Sequence, residues 1–133
     1  MKLLVVSRNR WTVLAICSDT GCPLRDALDD LEEGLKEDGR KILRRFEAMA
    51  VNGPPRNKQL ARPLGDKIFE IKAQRGLIRV FCFYDEGRMV ICTHLVTKPK
   101  QRQLQAEMKK AKEIRKAYLA AKGKGRVEIL EEL

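Results

Sequence analysis

Residues 67–98, KIFEIKAQRGLIRVFCFYDEGRMVICTHLVTK, decide how the chain folds. Phe69-Glu70-Ile71-Lys72-Ala73 alternates apolar and polar side chains, while Leu77 to Tyr84 and Met89 to Val96 are rich in β-branched and aromatic residues. Arg75-Gly76 and Asp85-Glu86-Gly87-Arg88 supply turn chemistry, so the stretch reads as three consecutive antiparallel strands. A two-residue turn at Arg75-Gly76 sets Gln74 opposite Leu77, Ala73 opposite Ile78 and Lys72 opposite Arg79. A four-residue second loop sets Tyr84 opposite Met89, Val80 opposite Thr93 and Arg79 opposite His94.

Side chains alternate along a strand, so Phe69, Ile71, Ala73, Ile78, Val80, Cys82, Met89, Ile91 and Leu95 then share a core face. Lys72, Arg79 and His94 form a row on the other face, with Phe81, Phe83, Cys92 and Val96 around them and Lys98 at the strand end. Like charges directly opposed on neighbouring strands destabilise a sheet. The row therefore predicts something anionic lying over it.

The 133 residues suit one domain with a core of its own, and an apolar fraction of 44% fits a globular chain. A formal charge of +10 points to nucleic acid, an anionic membrane surface or an acidic protein as partner. Cys17, Cys22, Cys82 and Cys92 form no C-x-x-C pair, and the register sets Cys82 and Cys92 on opposite faces, so reduced buried thiols are expected. A zinc site from Cys17, Cys22 and His94 lacks any recognised spacing. The apolar opening Met1 to Val6 ends at Ser7-Arg8-Asn9-Arg10, too short for an export signal or a membrane span, which predicts a cytoplasmic protein.

Before the meander, Leu3 to Val6 and Trp11 to Cys17 are β-rich, and the second predicts a strand that joins the sheet. Leu24, Leu28, Leu31 and Leu35 recur at helical spacing after Pro23. Gly39 reads as a break, and Ile42, Leu43, Phe46, Met49 and Ala50 mark a second helix ended by Asn52-Gly53-Pro54-Pro55. The two helices predict a hairpin packed on the sheet, and Arg56 to Asp66 a polar loop. Beyond Pro99, Leu104, Met108, Ala111, Ile114 and Tyr118 form one stripe of a long helix over 101–121. Between Lys98 and Arg126 eleven Lys or Arg face only Glu107 and Glu113, so a solvated helix face also attracts polyanions. Residues 1–122 read as one domain, and 123–133 as a flexible tail or a small added element.

This order resembles the RelE/ParE superfamily of toxin–antitoxin toxins, in its phage-derived, HigB-like branch. The resemblance is carried by Trp11-Thr12-Val13, by Arg62-Pro63-Leu64-Gly65-Asp66-Lys67-Ile68-Phe69-Glu70-Ile71-Lys72, by Ile78-Arg79-Val80-Phe81-Cys82-Phe83-Tyr84 and by His94-Leu95-Val96-Thr97-Lys98-Pro99. It implies an α+β, RelE-like fold: a mainly antiparallel sheet of four or five strands, an N-terminal helix hairpin and a basic C-terminal helix. It also implies a ribosome-dependent mRNA endonuclease that needs no metal or other cofactor and is silenced by a cognate antitoxin. Arg79 matches the family's central strand arginine, Lys72 stands where arginine is usual, and Thr97-Lys98 replaces two adjacent lysines.

RNA cleavage by its own 2′-hydroxyl needs a base, positive charge for the phosphorane and an acid for the leaving oxygen. Arg79 suits the charge, Lys72 and Lys98 add to it, and His94 has the range for acid or base work. These four are the candidate catalytic residues, and Arg75, Tyr84, Lys100, Arg102 and Lys109 the candidate RNA contacts. A lone strand histidine is as readily a packing residue, and the aromatics are more often core than base platforms. The alternative is a non-catalytic binder of the same fold, directed at DNA gyrase or binding only antitoxin or nucleic acid.

Overall fold

The protein is described from a computed structural model, which covers residues 1–57, 60–73 and 75–131. In chain order the elements are β1 (Lys2–Arg8), β2 (Thr12–Cys17), α1 (Pro23–Asp29), a 3₁₀ turn at Glu33–Leu35, α2 (Lys36–Asn52), β3 (Ala61–Gly65), β4 (Ile68–Lys72), β5 (Ile78–Asp85), β6 (Met89–Thr97), α3 (Gln101–Gly123) and β7 (Glu128–Leu130). The strands form one mixed sheet in the order β3-β4-β5-β6-β2-β1-β7. The β4–β5–β6 meander is antiparallel, whereas β2 runs parallel to β6 and β7 parallel to β1.

The α+β class and the long C-terminal helix follow the sequence reading, whereas the first helix stops at Asp29 and leaves Leu31 in the connection and Leu35 in the 3₁₀ turn. The sheet also departs from it: it has seven strands and mixed pairing instead of four or five mainly antiparallel ones. One extra strand, β3, comes from the stretch expected to be a polar loop, because Ala61 and Leu64 tuck in while Arg62 and Pro63 face water on a sheet edge. The other edge is β7, which lies past Gly123, where the sequence leaves a tail and an added element both open.

Two cores sandwich the sheet. On the α1–α2 side Val13, Ala15, Ile42, Phe46 and Met49 pack with Ile71, Val80, Cys82 and Cys92. On the α3 side Leu3, Leu14, Phe81, Phe83 and Ile91 pack with Ala111 and Tyr118. The helix break expected at Gly39 falls instead before the 3₁₀ turn, and Gly39 lies inside α2. A side chain there would stand 2.4 Å from Leu31 Cδ1, so this glycine lets the α1–α2 connection press against the helix.

The β4–β5 register is as read, with Lys72 opposite Arg79; the Gln74–Leu77 pairing lies outside the described residues. The β5–β6 register differs. Asp85 itself pairs with Met89, accepting the Glu86 N–H at 2.8 Å, so the loop is shorter by one residue. A bulge then adds Thr93 between the Phe81–His94 and Cys82–Cys92 pairs. Val80 therefore faces Leu95 and Arg79 faces Val96. Met89 and Ile91 move to the α3 side and Cys92 to the α1–α2 side, which sets the Cys82 and Cys92 thiols face to face at 3.5 Å instead of on opposite faces. All four cysteines are free and buried. Cys17 and Cys22 lie in the α1–α2 core, across the sheet from His94, so these three do not converge on a metal. No described helix is long and apolar enough to cross a membrane.

Candidate phosphate site on the sheet

The bulge leaves Lys72, Arg79 and His94 on one face but divides them. Two parallel rows cross the sheet there: Arg62–Glu70–Phe81–His94 and, two residues along the strands, Lys72–Arg79–Val96. The turn at Gly76, with φ +66, folds close over the second row, and Arg79 Nε donates to the Gly76 carbonyl at 3.3 Å.

Glu70 is the centre of this constellation. Its side chain is fully buried, which for a carboxylate demands partners. They are Arg62 Nη2 at 3.0 Å and Arg79 Nη1 at 3.3 Å from the same oxygen. The buried carboxylate thus aims two guanidiniums from opposite sides. Arg79 Nη2 has no hydrogen-bond partner among the described residues, and neither has the Lys72 ammonium. Arg62 is about half exposed and Arg79 one-fifth exposed. Three cations against one carboxylate leave the patch positive, with donors free toward solvent. The anion expected over the row is in part the chain's own Glu70.

His94 belongs to a different environment. It is 5% exposed, and its ring lies flat on Phe81, with centroids 4.9 Å apart and planes 5° from parallel. Nε2 lies 2.7 Å from Glu107 Oε2 on α3, and Nδ1 lies 2.9 Å from the Thr93 hydroxyl. Burial lowers the His94 pKa; Glu107 opposes this and nearby Lys110 adds to it, with a net decrease. The ring is neutral at pH 7. The carboxylate then selects the Nε2–H tautomer, and Nδ1 accepts from Thr93, whose single hydroxyl proton also serves the Phe81 carbonyl at 3.2 Å.

The other candidates are dispersed. Lys98, in a left-handed conformation at φ +47, reaches Glu32 in the α1–α2 connection at 2.5 Å. Arg75 Nε sits 3.5 Å from Asp38, a nearly buried carboxylate on α2. Lys100, at the N-cap of α3, and Arg102 and Lys109 on the helix are exposed, without ion-pair partners among the described residues. Tyr84 lies on the α1–α2 face, stacked on Phe69 with centroids 4.4 Å apart. The sheet therefore brings together Lys72 and Arg79, sets His94 on their face beneath α3, and leaves Lys98, Arg75 and Tyr84 elsewhere.

Arg62 and Glu70 are the residues that sequence reasoning missed. Glu70 was within reach: it stands two residues before Lys72, so strand alternation alone puts it on the cationic face. Arg62 required knowing that β3 exists.

A search of curated proteins gives no match. The model of the phage-derived Gp49-like proteins matches residues 26–116, from within α1 through both rows of the site into α3. That is more than half of the chain, which belongs to this phage-derived, toxin-like Gp49-like family.

Proposed function

We propose that this chain is a RelE-like toxin of a toxin–antitoxin pair, cleaving mRNA on the ribosome through the RNA's own 2′-hydroxyl. The observation that carries this reading is the Arg62–Glu70–Arg79 constellation beside Lys72. A carboxylate buried under two arginines fixes their forks before substrate arrives, which is the preorganisation that stabilising a phosphorane requires. Arg79 Nη2 and Arg62 take the non-bridging phosphate oxygens. Lys72, opposite Arg79 on the neighbouring strand, serves as base toward the 2′-hydroxyl, and solvent water protonates the leaving 5′-oxygen. His94 holds α3 through Glu107 and, in this arrangement, supports the site instead of touching RNA. Lys100 at the N-cap of α3 and the exposed cations of the helix, Arg102 and Lys109 among them, supply long-range attraction to ribosomal RNA. An acidic segment of a cognate antitoxin silences the toxin by covering this surface.

The test is primer extension on translating ribosomes with and without the protein: discrete new 3′ ends in mRNA support the reading, and intact message at saturating protein sinks it. A second reading, a non-catalytic binder of gyrase or of antitoxin alone, is favoured by one observation. Both nitrogens of the only histidine are already engaged, so no side chain with an unperturbed pKa near neutrality faces the patch. Supercoiling by gyrase in the presence of the protein discriminates the two.

A further inference from the structure

On the face of the sheet away from α3 lies a groove of about 430 Å³, lined in part by Pro55, Arg56, Pro63, Lys67, Phe69 and Tyr84. We propose that this groove is a second subsite for single-stranded RNA, with one base stacked on Tyr84 and the flanking phosphates on Arg56 and Lys67. The volume lies within the usual range for sites that take a small ligand group.

Tyr84 is a fixed platform. Phe69, 5% exposed, stacks beneath it at 20° between ring planes, and Trp11 meets its edge at 6.4 Å between centroids, yet Tyr84 itself stays 48% exposed. An aromatic ring held from below and from the side loses little freedom when a base lands on it, and any base has a π-face to offer. Its hydroxyl has no protein partner among the described residues. The charge around it is of one sign: among the described residues, the lining includes two cations and no carboxylate. Asp66, the acid next to Lys67 in sequence, is turned to Lys112 on α3 at 2.6 Å. Isolated cations would equally take an acidic peptide, but an exposed aromatic stack adds nothing for a carboxylate. The pair of features fits a nucleotide better.

The edge strand β3 lies between the groove and the Arg79 face. Alternation along β3 places Arg62 on the Arg79 side and Pro63 in the groove. Pro63 has no N–H to offer another strand, which discourages strand addition at this edge. A single strand rounding β3 would pass from one cationic face to the other. That path, and RNA as the ligand, rest on the function proposed above; the binding test below does not need cleavage.

The probe is a fluorescein-labelled, mixed-sequence 2′-O-methyl oligoribonucleotide, which has no free 2′-hydroxyl to react, titrated with the full chain by anisotropy at several salt concentrations. Tyr84→Ala should weaken binding about five- to a hundredfold, the loss of one base–aromatic stack, and Tyr84→Phe should restore it. Arg56→Gln with Lys67→Gln, both at exposed positions that spare the fold, should reduce the slope of log K against log salt by about 1.4, for two phosphates on a single strand. Trp11, the only tryptophan, should report binding in the wild type and not in Tyr84→Ala. Unchanged affinity and unchanged salt slope in these variants overturn the subsite. So does a polyglutamate peptide that binds with the same dependence on Tyr84, which would make the groove a peptide site. Tyr84-dependent binding by a protein that cuts no mRNA keeps the subsite and removes the nuclease reading; cleavage with Tyr84-independent binding does the reverse.

Discussion

Two carboxylates organise two polar clusters on one sheet face, and they do so in opposite senses. Glu70 rises from the sheet itself and holds Arg62 and Arg79 from beneath, leaving the outer donors of Arg79 and the whole of Lys72 open. Glu107 comes down from α3 and caps His94 from above, so the imidazole is nearly sealed. A carboxylate supplied from below orients a cation toward a ligand; one supplied from above replaces the ligand. On the function proposed above, the open Arg79 cluster is the one that meets phosphate, and the closed His94 cluster anchors α3.

Arg79→Ala tests this assignment with the largest expected effect. Single-turnover mRNA cleavage at saturating toxin should fall on the order of a hundredfold or more, the size associated with losing a transition-state donor. Ribosome association should change little, because the many exposed cations of α3 remain. Cleavage at the wild-type rate would falsify the site.

Glu70→Gln comes next. It keeps the shape but removes the charge that aims both guanidiniums, so cleavage should drop roughly ten- to a hundredfold through misplacement of Arg79. Stability should fall by about 1–3 kcal/mol as charge-assisted bonds become neutral ones, read from urea unfolding. If cleavage is unaffected while stability falls, Glu70 is a fold residue only, and the carboxylate from below has no functional part.

These expectations depend on how much could be read from the chain. Local alternation was enough to put Lys72 opposite Arg79, since a glycine turn and five clean β residues on each side leave one register. It failed one hairpin later, first because Asp85 joins the strand and shortens the loop by one residue, then because a bulge at Thr93 is stabilised by a hydroxyl–carbonyl bond and a histidine–helix contact that no periodicity encodes. Arg79 was legible and the partner of His94 was not. The β3 edge was missed for a related reason: it is short, Arg62 and Pro63 on it are exposed, and it exists because β4 offers it a ladder.

His94→Gln should change cleavage by no more than a few-fold, against the large loss in Arg79→Ala. Its signature is in stability against pH. The folded-state pKa of His94 lies below the ordinary 6.5, so the unfolded chain binds a proton more readily than the folded one. The stabilising effect of the neutral ring is present above pH 6.5 and is lost as pH falls toward the folded-state pKa. The exposed carboxylates with lowered pKa, Glu37 and Asp66, act below about 4.5 and leave this window clear. Urea midpoints between pH 7 and pH 5 should decline in the wild type and flatten in His94→Gln. A variant that loses cleavage as completely as Arg79→Ala would instead make His94 the acid or base, and the closed cluster would have to open during the reaction.

The smallest effect is expected at the far end of α3, where Tyr118 donates to Asp85 Oδ2 at 2.5 Å and Lys122 reaches both oxygens of the same carboxylate at 2.9 and 3.0 Å. Tyr118 is nearly buried and its ring packs against Phe83 in the α3-side core, so Tyr118→Phe keeps the packing and removes one hydrogen bond. Asp85 is not left unpaired, because Lys122 and the Glu86 N–H remain, and the cost should be about 1 kcal/mol in urea unfolding. Cleavage at saturating toxin should stay within twofold of wild type, since this clamp lies at the opposite end of β5 from Arg79. It fixes α3 without reaching either cluster. If Tyr118→Phe instead slows cleavage as much as His94→Gln does, the position of α3 as a whole governs the phosphate site, and the separation drawn between an open and a closed cluster fails.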